Sequence, residues 1–378
     1  MTKTISFTDI DVSGDGWIRC NVTRESVQEF RIELPYSFNP SPDLIAASYA
    51  SLCGREFDEV RIDLPLGANQ SKLLSERLQA KVVCQPGVDR RRRPGTENAL
   101  NFSGGFDSLA AMDLLSNPLL VSLDFGGQFM RERDFFSRFT PLTFRTNMTV
   151  LRLNSYSWEF MGVGSILLRD ELQLGAYSFG SIMASSLPRV FSKPLDQSMG
   201  GIRVANDLGM RLQNPVAGLT EIASLLLVAR NHPALLPDAL RSVANRNEDK
   251  FQRKHQMLQA VRSVLGLPIQ LPEPRQKVAS LTWGQSFATD LSSLYVMKTL
   301  GIDHVSESYK GGVPERVAAA LPGIDLAFMT RVNPHAYEGV DSLVLGDWYS
   351  RMAQNQILPY QREDWFDAAK VMKLLRSS

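Results

Sequence analysis

The sequence predicts an α/β protein: a doubly wound parallel sheet over residues 97–265, preceded by a small α+β domain over 1–93 and followed by a mainly helical region over 266–378. Three observations predict it. From Glu97 the chain runs strand, glycine turn, helix, strand, helix, the pattern of βαβ units on a parallel sheet. Before Arg90, short alternating apolar and polar runs enclose two helical stretches. After Pro215 helical periodicity prevails, and two of the helices stop at a glycine.

In chain order, Thr4–Val12, Trp17–Val22 and Glu29–Leu34 alternate as half-buried strands do, and Pro42–Leu52 carries helical spacing. Glu59–Leu64 and Lys81–Cys84 read as strands flanking the helix Asn69–Ala80. Arg90–Arg93 and Pro94-Gly95 then form a charged, turn-rich junction, read as a solvated linker in preference to a phosphate or RNA patch. Ala99–Phe102, Leu119–Phe125, Met148–Leu153 and Ala176–Met183 are the next strands, with Ser108–Leu115, Arg131–Phe139 and Ser165–Leu174 between them. Thr220–Arg230, Pro237–Val243, Glu248–Leu265 (closed by Gly266) and Trp283–Leu300 (closed by Gly301) complete the helices.

With 378 residues the chain exceeds what one hydrophobic core usually serves, hence the division into domains. Its 44% hydrophobic and 21% charged residues are globular values and exclude a disordered or fibrous chain. The net charge of +1 gives no overall basic excess, so nucleic acid is not a favoured partner; a homo-oligomer is left open. Cys20, Cys53 and Cys84 are too far apart for a CxxC pair, which fits a reducing, cytoplasmic setting. The first nine residues lack an apolar segment, and no apolar run reaches membrane-spanning length, so neither secretion nor a membrane is expected.

The chemistry is carried by Ser103-Gly104-Gly105-Phe106-Asp107-Ser108, set between the apolar strand Ala99–Phe102 and an amphipathic helix. Paired glycines let the main chain approach a phosphate closely, and free amides at a helix start attract the anion. Ser103 and Ser108 add hydroxyl donors, and Asp107 beside a polyphosphate requires a divalent cation such as Mg²⁺ between them. A plain glycine turn with an Asp cap is the bland alternative. No Gly-Lys-Ser/Thr follows, which excludes a Walker A loop, and the third glycine of the dinucleotide fingerprint is absent.

The hexapeptide resembles the SGGxDS signature of the PP-loop ATP pyrophosphatases, within the adenine nucleotide alpha hydrolase-like fold. Leu123-Asp124-Phe125-Gly126-Gly127-Gln128 with Arg131, Glu132 and Arg133 looks like the second-strand segment of the 7-cyano-7-deazaguanine synthases, and Pro215–Ile222 is similar to a helix start of that family. The resemblance spans about residues 97–265. It implies that Ser103, Gly104, Gly105, Phe106, Asp107 and Ser108 hold the phosphates of ATP, with Asp107 and Ser108 catalytic and Asp107 acting through Mg²⁺, and that Asp124, Phe125 and Gly126 border the adenosine. The four zinc cysteines of those synthases are missing: no cysteine follows Cys84, and Asn245–Lys254 offers Lys250, Arg253 and Lys254 instead. Structural zinc is therefore not expected, and sulfur transfer loses its usual thiols.

Other candidates have competing readings. Gly180 and Ser181 end a predicted strand, where open α/β sheets gather ligands; they either touch substrate or pyrophosphate or make a packing bend. Arg131, Arg133 and Arg145 are pyrophosphate-neutralising candidates or solvated side chains. Trp158, Phe160 and Met161 are a wall over a base or simply core, and Tyr309-Lys310-Gly311-Gly312 is a lid or a surface turn. Of the four histidines only His335, in Asn333-Pro334-His335, sits in a loop suited to chemistry. The expectation is an AMP-forming ligase that takes ATP and an unidentified small-molecule or nucleobase substrate and adenylates a carboxylate or carbonyl oxygen for a nitrogen nucleophile. The alternatives are a nucleobase- or tRNA-modifying ligase of the same class and a non-catalytic ATP-binding sensor or assembly protein.

Overall fold

A computed structural model describes residues 2–183, 202–275 and 279–376. They form two compact units, one of residues 2–103, 117–179 and 202–213, the other of 104–116, 180–183, 214–275 and 279–376.

The first unit holds one ten-stranded sheet. Its elements are β1 (Thr4–Ser13), β2 (Trp17–Thr23), β3 (Val27–Glu33), α1 (Pro42–Cys53), β4 (Glu59–Leu66), α2 (Ala68–Leu78), β5 (Lys81–Pro86) and β6 (Glu97–Asn101). After an excursion into the second unit come β7 (Leu119–Asp124), a helix at Met130–Phe136, β8 (Leu142–Thr146), a short helix at Val163–Leu167, β9 (Leu174–Phe179) and β10 (Arg211–Gln213). The strand order is β10-β9-β6-β7-β8-β3-β2-β1-β4-β5. The first five strands run parallel, β8–β3, β3–β2 and β2–β1 are antiparallel, and β1–β4 and β4–β5 return to parallel. The class is α/β as expected, but the parallel sheet expected over 97–265 does not stand by itself: the strands of residues 1–93 join it, and the combined ten-stranded sheet is mixed. The reason is local: β1, β2 and β3 are joined by tight turns, which only antiparallel neighbours permit.

Residue type follows position. β1 and β2 alternate, burying Ile5, Phe7, Ile18, Cys20 and Val22, whereas β6 buries Ala99, Leu100 and Asn101 in succession, as a central parallel strand does. Every residue of α1 from Asp43 to Cys53 is buried, and Tyr49 stacks on Phe7 with ring centroids 4.6 Å apart. The strand predicted at Met148–Leu153 is instead a run of turns, with Leu151 N donating to Asn147 O and Leu153 N to Met148 O, and the strand lies earlier, at Leu142–Thr146. The predicted helix Ser165–Leu174 shrinks to Val163–Leu167; turns follow, with Leu172 N donating to Leu168 O and Leu174 N to Arg169 O, and Gln173 at φ +50° leads into β9.

The second unit is helical: α3 (Phe106–Leu114), then α4 (Glu221–Asn231), α5 (Leu236–Val243), α6 (Asp249–Leu265), α7 (Phe287–Leu300), Ser342–Gln354 and Arg362–Arg376, with short turns of helix between them. α4 is apolar on most sides and packs against α3 and α6. Thr220 caps α4: its Oγ1 accepts from Ala223 N at 3.2 Å and donates to Met329 O at 2.5 Å. The buried Tyr337 hydroxyl donates to Pro215 O at 2.6 Å and accepts from Gly218 N at 3.2 Å, fixing the entry to that helix. Trp283–Gln285 precedes α7 as a turn, since Ser286 supplies the cap by accepting from Thr289 N. Among the described residues no helix is long and apolar enough to cross a membrane.

Candidate functional site

The strand that feeds the hexapeptide is pinned from both sides. Asn101, buried at the end of β6, donates from Nδ2 to Ser178 O at 3.0 Å and accepts at Oδ1 from Ser165 Oγ at 2.8 Å. Phe102 N donates to Val121 O at 2.7 Å, and Phe102 O accepts from Ser122 Oγ at 2.6 Å. Ser103 is the last residue of the first unit and Gly104 begins the second.

The two glycines are not equivalent. Gly104 has φ +75°, in the left-handed region where a Cβ is costly. Gly105 is the N-cap of α3 with φ −69° and ψ 164°, extended backbone open to any residue, so positive φ explains only the first of the pair. Ser108 Oγ donates to Gly105 O at 2.9 Å, tightening the first helical turn, and Phe106 is buried beneath it. Gly180 meets the same turn: a Cβ there would lie 2.5 Å from Ser108 N and 2.6 Å from Asp107 C. That close backbone approach accounts for Gly180, and Ser181 beside it accepts at its carbonyl from Asn214 Nδ2 at 2.6 Å. Asp107, Ser108, Gly180 and Ser181 are thus brought together.

Behind the turn, four helices of the second unit contribute a polar cluster. Ser224 Oγ of α4 donates to Asp107 Oδ1 at 2.8 Å. Lys254 of α6 pairs with Glu221 of α4 and lies with its Nζ 5.7 Å from the centre of the Phe106 ring. Ser292 of α7 donates to Glu221 Oε2 at 3.3 Å. Burial pushes the Asp107 carboxyl above its ordinary range, with the Glu221 charge adding to the effect and Lys254 opposing it. Burial acts in the same sense on Glu221, but the Lys254 ammonium outweighs it and holds Glu221 below the usual carboxylate range. Lys254 is raised in turn, because Glu221 and Asp107 overcome its own desolvation.

Sequence reasoning did not assemble this cluster. Its traces were present: Glu221 and Ser224 are three residues apart on one helical face directly after the Thr220 cap, and Lys250 and Lys254 are four apart. Nothing in the sequence pairs one helix with another across the 71 positions between Glu221 and Ser292 or the 117 between Asp107 and Ser224.

Of the remaining candidates, Asp124, Phe125, Gly126, Trp158 and Phe160 belong to the first unit and His335 to the second. Asp124 ends β7 nearly buried; its Oδ1 accepts from Gly126 N at 2.9 Å, and its Oδ2 lies 3.7 Å from Arg133 Nη1 and 3.6 Å from Arg145 Nε. Gly126 and Gly127 take φ of +65° and +52°, which the turn out of β7 requires. Phe125 packs edge-on to Phe129 and Phe160, and Trp158 edge-on to Phe179. The His335 ring lies tilted against Trp365 with centroids 4.7 Å apart, whereas His232 approaches Asp113 at 2.7 Å, and that hydrogen bond raises its pKa.

No group of three or more His, Cys, Asp or Glu side chains fit to hold a metal gathers among the described residues. Mg²⁺ with a nucleotide needs less from the protein, one or two carboxylates plus phosphate oxygens, and Asp107 at the start of α3 is chemically suited to that share. Comparison with protein-family models, curated proteins and solved structures gives no match to this chain.

Proposed function

We propose that the chain is an ATP pyrophosphatase-type ligase with a doubly wound PP-loop fold. One observation carries the reading: Ser103–Ser108 joins a pinned parallel strand to a helix start, with its first glycine at φ +75°. In the proposed reaction a carboxylate or carbonyl oxygen of the acceptor attacks the α-phosphorus of ATP. The bond from that phosphorus to the bridging oxygen breaks, and pyrophosphate leaves with the electron pair. A nitrogen nucleophile then attacks the adenylated carbon and expels AMP.

Backbone amides of the loop and the Ser103 hydroxyl supply donors to the phosphates, strongest where charge develops in the transition state, and the Ser108 hydroxyl joins them by turning away from Gly105 O. Mg²⁺, when bound, supplies neutralising charge to the polyphosphate, and Asp107 is the residue that would hold it. Lys254 and Glu221 set the charge environment of Asp107, the first favouring its ionised form and the second opposing it.

Product identity tests the reading. With ATP, Mg²⁺ and a metabolite extract as acceptor source, AMP and pyrophosphate are expected; ADP and phosphate would sink it. Asp107→Asn keeps the shape and the hydrogen bond to Ser224 but loses the charge, so AMP formation should fall by about a hundredfold or more. The engagement of Asp107 by Ser224 favours one second reading, ATP held without turnover. Intact ATP with every acceptor, together with a nucleotide-induced rise in unfolding temperature, would decide for that reading.

A further inference from the structure

The Arg90–Arg93 segment, read from sequence as a solvated linker, is built into a cleft of the first unit. A cavity of about 820 Å³ is lined by Arg90–Arg93 and Arg169, with Leu73, Val88, Pro94 and Leu208 supplying apolar wall. Arg92 turns inward, 10% exposed: it pairs with the buried Asp43, and its Nε lies 2.9 Å from Asp170. The buried Arg169 ties down the backbone on both sides of the cavity, donating to Arg93 O at 2.5 Å and to Leu208 O at 3.0 Å.

Arg91 and Arg93 turn outward and are exposed. Among the described residues neither guanidinium has a hydrogen-bond or ion-pair partner. The two acids lining the cavity are already engaged, Asp89 with the Asn69 and Gln70 amides that start α2, and Asp207 with Arg77. The cleft therefore presents uncompensated positive charge on a fixed backbone, beside apolar wall and within the volume range of small-molecule sites.

We infer that this cleft binds a phosphate-bearing ligand, with Arg91 and Arg93 gripping phosphate oxygens and the organic part resting on Leu73, Val88 and Pro94. Paired guanidiniums suit phosphate because each offers two parallel donors. The ligand's phosphates come either from a free phosphorylated molecule or from a nucleic-acid backbone. The inference is independent of the loop at Ser103–Ser108, and the test keeps the two apart.

Binding of inorganic tripolyphosphate is measured by calorimetry, and of a labelled single-stranded RNA of about twelve nucleotides by fluorescence anisotropy, on wild type, Gly104→Ala, Arg91→Ala/Arg93→Ala, Val88→Asp and, as a charge control, Arg316→Ala, an exposed arginine of the second unit. Wild type should bind tripolyphosphate, Gly104→Ala and Arg316→Ala should retain cleft binding, and the double variant should lose about tenfold or more. Val88→Asp, which leaves both arginines in place but adds a like charge to the ligand's, should weaken binding in the same direction. RNA bound more tightly than tripolyphosphate, and lost in the same double variant, identifies a nucleic-acid source; tripolyphosphate bound as tightly or more identifies a free ligand. Wild-type binding of neither probe overturns the inference, as does binding that survives in the double variant but disappears in Gly104→Ala.

Discussion

Asp107 is the residue on which the most converges: a helix start, a hydrogen bond from Ser224 at 2.8 Å, and the field of the Lys254–Glu221 pair. Removing the fully buried Ser224 hydroxyl should therefore matter twice. Ser224→Ala leaves the carboxyl without its donor and should cost about 1–3 kcal/mol, read as the denaturant midpoint; an unchanged midpoint would mean that water replaces the hydroxyl without loss. Lys254→Met breaks a largely buried ion pair and strands Glu221, so a loss of about 3 kcal/mol is expected, with Glu221→Gln in the same background restoring part of it. His232 gives a pH signature. Its folded pKa is raised above 6.5 by Asp113, so its stabilisation is complete below about that pH and disappears as pH rises through the folded value. Asp113→Asn should then destabilise the protein more at mildly acidic pH than at alkaline pH, and equal losses at both would remove the ion pair as the cause. At this scale the sequence was most legible where a residue type has one backbone use. Gly104 could be read because the turn needs positive φ, while Gly105, extended, and Gly180, required by a neighbour distant in the chain, could not be read the same way.

Among elements, the short helix Val163–Leu167 shows what local pattern leaves out. A Cβ on Gly164 would sit 2.7 Å from Val121 Cγ1 and 2.9 Å from Phe144 Cδ2, so the glycine exists to let this helix lie directly on β7 and β8. Gly164→Ala should cost about 1–3 kcal/mol by overpacking, whereas Gly162→Ala, whose Cβ finds Phe179 Cζ at an ordinary 3.4 Å and whose φ is negative, should be nearly neutral in thermal unfolding. Equal effects at the two positions would refute the close-packing account. The same neighbourhood holds the clearest failure of sequence reading. Leu142–Thr146 alternates apolar and polar residues and Met148–Leu153 is richer in apolar ones, so local pattern alone does not favour the first. The choice is made by partners: Val121–Asp124 on one side and Ile32–Glu33 on the other pair with the first run, which leaves the second to turn, with Arg152 at φ +55°. Helices closed by a single residue were easier, as at Gly266, which takes the left-handed conformation that ends α6.

Across the whole molecule, the sequence suggests a division at the arginine-rich junction near residue 93, and the sheet supplies the means to test it. β3 pairs with β8 through Ile32–Thr146 and Glu33–Arg145, so strands from before and after the junction are neighbours in one sheet. The first unit's core is equally continuous: Phe7, Phe30, Tyr49 and Leu44 belong to the same buried cluster as Phe144, Leu153, Ile166 and Leu174. α1 is the keystone, buried along its length and packed on the helix Val163–Leu167 and on the segment Trp158–Gly162, both of which lie beyond the junction. A fragment of residues 94–378 would lose all of α1, uncover the apolar side chains beneath it and leave β8 as an unpaired edge. At about 25 cal/mol per Å² of newly exposed apolar surface, uncovering even a few such side chains costs several kcal/mol, comparable to the whole stability of a typical domain. Edge strands uncovered in this way also recruit other chains. The fragment should therefore be aggregated or should bind a hydrophobic dye strongly and unfold without a cooperative transition, while the full chain unfolds cooperatively. Co-expression with residues 1–93 should restore part of the soluble material, because the missing strands and α1 are then supplied in trans. A fragment that is monomeric, unfolds sharply and binds no dye would show that the segment after the junction closes its own core, and that the pairing of β3 with β8 is dispensable.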